Sequence, residues 1–354
     1  MRARRWPIVW LALAPVLLFV APVVGDELNY LDPMELPHDD VRPAYTDSNA
    51  AVSGGCDAGY LTAGGCDQSV CSQCCNECCC PLWTVRAGAV FLRRDNQSDI
   101  ALTNGATPIS VGDLAFNDYH GGPLVTLMRH NFLDTPFTLE LTYFGIRDSN
   151  TASTTGATAV FSTPTINFAP NSVFEGYRAS LDSTEINFRY AWTDWCTVLA
   201  GFRCVEMSDA LSTNIGGLAT YDINVNNHLY GAQLGADVAL LRLNRLEIDW
   251  FGKAGIYGSS ADQTTTIRGV GGAVPNLSAH AGQTAFIGEM DLTGRYQINQ
   301  HWSLLGGYRV LWFGGVALAP NQIASSNVAT GAATLNNNSQ PIYHGFTAAA
   351  QCEW

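Results

Sequence analysis

The sequence predicts an all-β chain: an antiparallel up-and-down transmembrane β-barrel of about ten strands, preceded by a disordered cysteine-rich leader. Three observations carry that expectation. From Trp83 onward the apolar residues recur with period two. The connections between these segments alternate between short and long. Charge falls on one face of the strands and aromatic residues on the other.

The period-two segments lie at about 83–93, 120–129, 136–146, 184–192, 196–205, 228–241, 246–257, 284–297, 302–313 and 342–354. Four connections are short: His130–Thr135, Trp192–Trp195, Leu243–Arg245 and Ile298–His301. Five are long: Arg94–Tyr119, Arg147–Ser183, Glu206–Asn227, Gly258–Gln283 and Gly314–Pro341. In the last strand every second residue from Phe346 to Trp354 is apolar, with Thr347, Ala349, Gln351 and Glu353 between them. Such a strand is expected to seal against the first one, because an open edge would leave unpaired backbone groups in lipid.

The outward positions of strands three to ten carry no charge. The positions between them hold Glu140, Arg189, Arg203, Asp237, Glu247, Asp249, Lys253, Glu289, Asp291, Arg295, Arg309 and Glu353. Fifteen aromatics fall on the outward set and one, Phe251, on the inward set. A charge facing lipid at mid-bilayer costs roughly 2–4 kcal/mol, which accounts for the asymmetry. Trp192, Trp195, Tyr296, Trp302 and Trp354 cluster by the short turns, with Trp312 and Tyr343 at the long-loop end; two aromatic girdles are expected. Cys196, Cys204 and Cys352 read as small outward apolar residues.

A hairpin also recurs. Glu185–Tyr190 aligns with Asp291–Tyr296, and Leu199–Arg203 with Leu305–Arg309, at the same offset of 106 residues. A weaker copy covers Ala254–Tyr257.

Upstream, residues 1–25 read as a signal peptide, with Arg2, Arg4 and Arg5 before an apolar run from Trp6 to Val20. Residues 26–55 are a proline-interrupted, aperiodic leader. Residues 56–82 form a cysteine-rich segment containing Cys56, Cys66, Cys71, Cys74, Cys75, Cys78, Cys79 and Cys80, and residues 83–354 form the barrel. Three readings fit the cysteines: disulfides in an oxidising compartment, a soft-metal site at the two C-x-x-C pairs, and cross-links to the cell wall or to another copy.

The chain has 18 basic and 31 acidic residues; without the three signal arginines, 15 basic residues remain against 31. Lys253 is its one lysine, so the basic surface that nucleic acid requires is missing. No spaced catalytic motif occurs. His228, His280 and His344 lie near the long loops, where each could meet an acid such as Asp222 or Asp262. They read as solvated loop histidines, and Glu247 with Asp249 reads as part of an ion-paired lumen rather than as an acid pair. No enzyme activity and no cofactor are expected.

Five ordered segments, Val90–Asn96, Leu139–Gly145, Ser183–Arg189, Ala200–Arg203 and Asn227–Ala236, resemble the beta-barrel porin family of planctomycete-type outer-membrane proteins. The resemblance spans about Trp83 to Trp354 and implies an outer-membrane barrel with a porin role; it carries over no catalytic residue. The first functional expectation is passive diffusion of small solutes through a lumen lined by Arg189, Arg203, Asp237, Glu247, Asp249, Lys253, Glu289, Asp291, Arg295, Arg309 and Glu353. Arg189, Arg203, Arg295 and Arg309 are expected on one wall, with Glu247, Asp249, Glu289 and Asp291 on another. The alternative is a structural or surface-binding barrel closed by ion pairs and cross-linked through its leader, since barrels near eight strands fill with side chains. An outer-membrane hydrolase is the third.

Overall fold

A computed structural model describes residues 81–354 apart from 96–99, 105–109, 112–117, 155–159, 162–172, 270–275 and 328–329. The signal segment, the leader and the eight clustered cysteines lie outside the described residues.

Ten antiparallel strands close into a barrel: β1 (Trp83–Asp95), β2 (His120–Arg129), β3 (Phe137–Thr154), β4 (Val173–Thr193), β5 (Cys196–Ile215), β6 (Ala219–Leu243), β7 (Leu246–Arg268), β8 (Leu277–Gln297), β9 (Trp302–Gly314) and β10 (Ile342–Glu353). Each strand pairs with its sequence neighbours. The ring closes between β1 and β10, in register from Thr84 opposite Glu353 to Asp95 opposite Ile342. Closure gives every strand two partners and leaves no edge for lipid to meet.

The turns follow from local chemistry. Asn131, Leu133 and Asp134 take positive φ in the turn between β2 and β3, and Asn244 does so between β6 and β7. Asn and Asp tolerate this region better than most residues. Gly216 (φ 58°) and Gly217 (φ 70°) make a tight turn between β5 and β6, and the Asn214 side chain accepts a hydrogen bond from the Gly217 N–H. That hairpin corrects the sequence reading, which assigned Glu206–Asn227 to a long loop. Gly258–Gln283 is likewise mostly strand, with β7 running to Arg268 and β8 starting at Leu277.

These segments look like loops because their outward face is polar. The side-chain alternation continues unbroken, but its polarity inverts. On β5 the outward residues run Val198, Ala200, Phe202 and Cys204, then Glu206, Ser208, Ser212 and Asn214. The inward residues run through buried Arg203 and then mostly apolar Val205, Met207, Leu211 and Ile215, with buried Asp209 and Thr213 between them. On β6 outward Asn224, Asn226 and His228 give way to Tyr230 and Leu234 at the same level. Lipid outside demands an apolar outer face and tolerates charge inside; water outside demands the reverse. The switch marks the membrane boundary on each long strand, and Val205–Ile215 then projects roughly 25 Å beyond it.

The short-turn girdle holds Tyr190, Trp192, Trp195, Tyr296, Trp302 and Trp354, all exposed. At the other interface Tyr143, Tyr230 and Tyr308 point outward and hydrogen-bond to Asp182, Glu206 and His344. Trp312 packs edge-on against Phe286. Tyr343 does not join them: it points inward and packs edge-on against Phe313 at 5.6 Å. It directly follows Ile342 at the start of β10, where the odd positions face the lumen.

The boundary predicts opposite outcomes for one chemical change. Ala200→Arg, in the lipid-facing band, should lower folding stability in lipid vesicles by roughly 2–4 kcal/mol. Ser212→Arg, on the same face of β5 beyond the boundary, should cost less than about 0.5 kcal/mol. Equal penalties in denaturant titrations would contradict the assignment.

Candidate functional site: a filled lumen

Inward side chains fill the barrel in successive layers. Nearest the short turns, Arg189 bridges Glu140 (2.8 Å) and Asp237 (2.5 Å), and Glu247 accepts from Arg242 (2.9 Å) and from Arg295. Arg86 donates to Gln351 at 2.6 Å, and Glu353 lies 4.0 Å from Arg295. Glu247 is therefore a counter-ion to two arginines and forms no acid pair with Asp249. Asp249 lines a cavity of about 110 Å³ together with Arg86, Glu140, Thr142, Phe251, Leu124 and Leu305, polar and apolar in equal measure.

Above the cavity sits a belt of three cations and three anions. Glu185 contacts Lys253 (2.7 Å) and Arg203 (3.5 Å); Glu289 contacts Arg203 (2.7 Å), Lys253 (3.3 Å) and Arg309 (3.6 Å); Asp291 contacts Arg309 (2.7 Å). The side chains of Arg203, Glu185 and Glu289 are each 1% exposed, whereas those of Lys253, Asp291 and Arg309 are 5–10% exposed and line the cavity below. Equal charge of each sign is what makes such burial tolerable. Gln233 and Asn187 occupy further carboxylate lone pairs. The recurring hairpin explains part of this layer: Glu185 pairs in register with Arg203 across β4 and β5, and Asp291 with Arg309 across β8 and β9. The expectation of an arginine wall facing an acid wall is overturned, because neighbouring strands supply opposite charges.

The Phe144 ring caps the belt, with the Arg203 and Arg309 guanidiniums 5.6 and 5.2 Å from its centre. Buried Arg203 Nη2 and Arg309 Nη1 have no hydrogen-bond acceptor among the described residues. The π face beside them offers partial compensation. Beyond Phe144 the lumen is apolar, with Leu92, Ile146, Leu181, Val205, Met207, Leu229, Ile287, Leu311 and Phe313 in one packed layer.

The connection after β9 completes the fill. Gly315 (φ 82°) turns the chain inward, at a place where a Cβ would lie 3.0 Å from the Thr284 carbonyl oxygen. Val316 and Leu318 join the first apolar layer; Ala317, Ala319 and Ile323 join a second, built on Tyr177, Leu211, Tyr221, Ile223, Val225 and Leu277. Between the layers Asp209 accepts from Arg94 (2.6 Å), from the Tyr177 hydroxyl (2.9 Å) and from the Ala319 N–H (2.7 Å). Neither Asp209 nor Arg94 was singled out from sequence; they meet across 115 residues, and no local pattern announces the pair.

The histidines near the long loops all find acids. His280 lies 2.8 Å from Asp262, as the sequence allowed; His228 meets Glu206 (2.9 Å) rather than Asp222, and His344 meets Asp95 (3.1 Å). The His280 and His228 pairs sit on the outer wall, and no serine, threonine or cysteine bonds to either histidine among the described residues.

Two outcomes follow from the fill. Arg203→Met leaves Glu185 and Glu289 short of a counter-charge and should destabilise the barrel by roughly 3–5 kcal/mol, read as a shifted urea midpoint. Adding Glu289→Gln should recover part of that loss. Glu175, on β4 beyond the membrane boundary, is fully buried with the Thr213 hydroxyl donating to it at 2.6 Å. Burial pushes its carboxyl from 4.5 up to about 8. Between those values the unfolded chain has released a proton that the folded chain retains, so stability falls as pH rises through that window. Glu175→Gln should remove this fall, leaving the variant more stable than wild type at pH 8.5 and no more so at pH 4. A pH-independent difference between the two would contradict the assignment.

No family model matches the chain, and no curated protein does. Solved structures similar to it include the outer membrane protease OmpT from Escherichia coli, with 7% identity, 77% of this chain and 96% of that one covered, and a TM-score of 0.42. The P. putida toluene transporter TodX has 11% identity, coverage of 77% and 89%, and a TM-score of 0.33. An anion-selective porin from Comamonas acidovorans has 9% identity, coverage of 77% and 98%, and a TM-score of 0.19. These likenesses are weak, and the barrel assignment rests on the closed ring of strands.

Proposed function

We propose that this chain is an outer-membrane barrel that closes its own lumen and serves as a structural, surface-binding protein. The observation that carries this reading is the belt of Arg203, Glu185 and Glu289, buried to 1% exposure and sealed above by a continuous apolar layer. An open diffusion pore keeps water along its whole axis, whereas a ten-stranded barrel is narrow enough for side chains to meet across it. In this reading the short turns face the periplasm and the tall, polar-faced hairpins of β4 to β8 face the medium. The leader cysteines then lie on the periplasmic side, where disulfides to the wall or to another copy could anchor the barrel.

Membership of the planctomycete-type porin family rests on the five ordered segments alone. Solute diffusion is the second reading, and the cavity of about 110 Å³ beside Arg86 and Asp249 is what favours it. Lumen residues from Arg189 to Glu353 would then set ion selectivity.

Conductance separates the two. Folded protein, verified by heat-modifiable gel mobility, should insert into planar bilayers without producing current steps. Reproducible single-channel steps would overturn the closed reading and restore the pore.

A further inference from the structure

The outer half of the barrel is a cup, and its contents come from its own chain. Residues 315–327 and 330–341 enter it as a strap that is folded on itself. Val316 and Ser339 exchange main-chain hydrogen bonds, and the Gln322 side chain donates to Leu318 O and accepts from Asn336 N–H. The strap is not a barrel strand: it is extended at Leu318 and passes into a 3-10 helix at Ala319–Gln322. Asn227 reads the main chain of Ala317 from both sides, its Nδ2 donating to the carbonyl (2.8 Å) and its Oδ1 accepting from the N–H (2.8 Å). Asp209 takes the Ala319 N–H, and Gln263 reaches Ser326.

That is how a receptor holds a peptide. Wall side chains satisfy the main chain, and an apolar surface accepts small side chains. Recognition of this kind depends on main-chain geometry and residue size rather than on charge. Electrostatics does not oppose the strap's departure, and a ligand would re-cover the apolar surface that the strap leaves. Asp209 keeps Arg94 and Tyr177 when Ala319 leaves, so no buried charge loses its partner. Release breaks no rung of the barrel ladder.

We propose that the outer cup is a binding site for a short apolar peptide that enters extended and closes into a 3-10 turn, with Asn227 and Asp209 as its main-chain readers, and that Val316–Ala319 is a tethered occupant which such a ligand displaces. This gives the surface-binding reading a ligand class. Conductance reports the belt below, while peptide binding reports the cup, so the two ideas fail separately.

The probe is a fluorescein-labelled peptide spanning Gly315–Gln322, followed by anisotropy. Leu318→Asp places a charge in the apolar layer and should eject the strap while the ladder folds. That variant should bind the peptide saturably, and wild type should bind it at least tenfold more weakly. Adding Asn227→Ala should weaken binding by roughly tenfold, the equivalent of two lost hydrogen bonds. A peptide of scrambled order should bind poorly. Should Leu318→Asp not fold, residues 316–340 replaced by a short Gly-Ser link provide the same open cup. A folded open-cup variant that ignores the peptide, or binds the scrambled one equally well, overturns the site. An Asn227→Ala change without effect overturns the assigned reader. Wild type binding as tightly as the open variants overturns the strap as occupant. Failure of both variants to fold overturns its separability from the barrel.

Discussion

Everything inside this protein answers to the closure of its ten-stranded ring. Pairing β1 with β10 satisfies the backbone of every strand, and it also sets the radius of the enclosed space. A ring of this size cannot be left empty, and side chains from opposite walls meet within it. Those at membrane level have lipid behind them and each other in front. Charge admitted there must be balanced there, and it is: Arg203, Lys253 and Arg309 are interleaved with Glu185, Glu289 and Asp291. The dense ion pairing is a consequence of closure at this radius more than a device added to it.

Past the membrane the same ring obeys the opposite solvent. The outer hairpins keep their alternation, but Ser208, Ser212, Asn224 and Asn226 now face water while Leu211, Ile215, Ile223 and Val225 face inward. An apolar interior without a filling would be a wet hydrophobic pit, and the strap removes that cost. The chain is thus an inside-out protein in one half and an ordinary globular one in the other, built on continuous strands.

What the sequence revealed follows from this division. The lipid-level strands are legible because outward aromatics and inward charges alternate, as at Phe202 and Arg203 or Tyr308 and Arg309, with Phe251 the one inward aromatic, against a uniform outer solvent. The short turns were legible from the breaks between strands. The outer extensions were not, because a strand whose outward face is Ser, Asn and Thr has the composition of a loop; Gly216–Gly217 was the one local sign of the hairpin there. Tyr343 was misassigned through its nearness to a strand end, where a single-residue change of face separates a girdle from a core. The strap offered no signal at all. Asn227 and Ala317 meet across 90 residues, and neither position carries a pattern that names the other.

The recurring hairpin has one more implication. Glu185 with Arg203 and Asp291 with Arg309 are the same pair on two copies of one unit, each carrying its counter-ion on the adjacent strand. Each copy also reaches into the other: Arg203 of the first makes its shortest ion pair with Glu289 of the second, and Lys253 bridges Glu185 and Glu289. Neither hairpin could be lost without stranding a buried charge of the other. The belt therefore acts as a lock on the size of the ring, complete only when every hairpin is present.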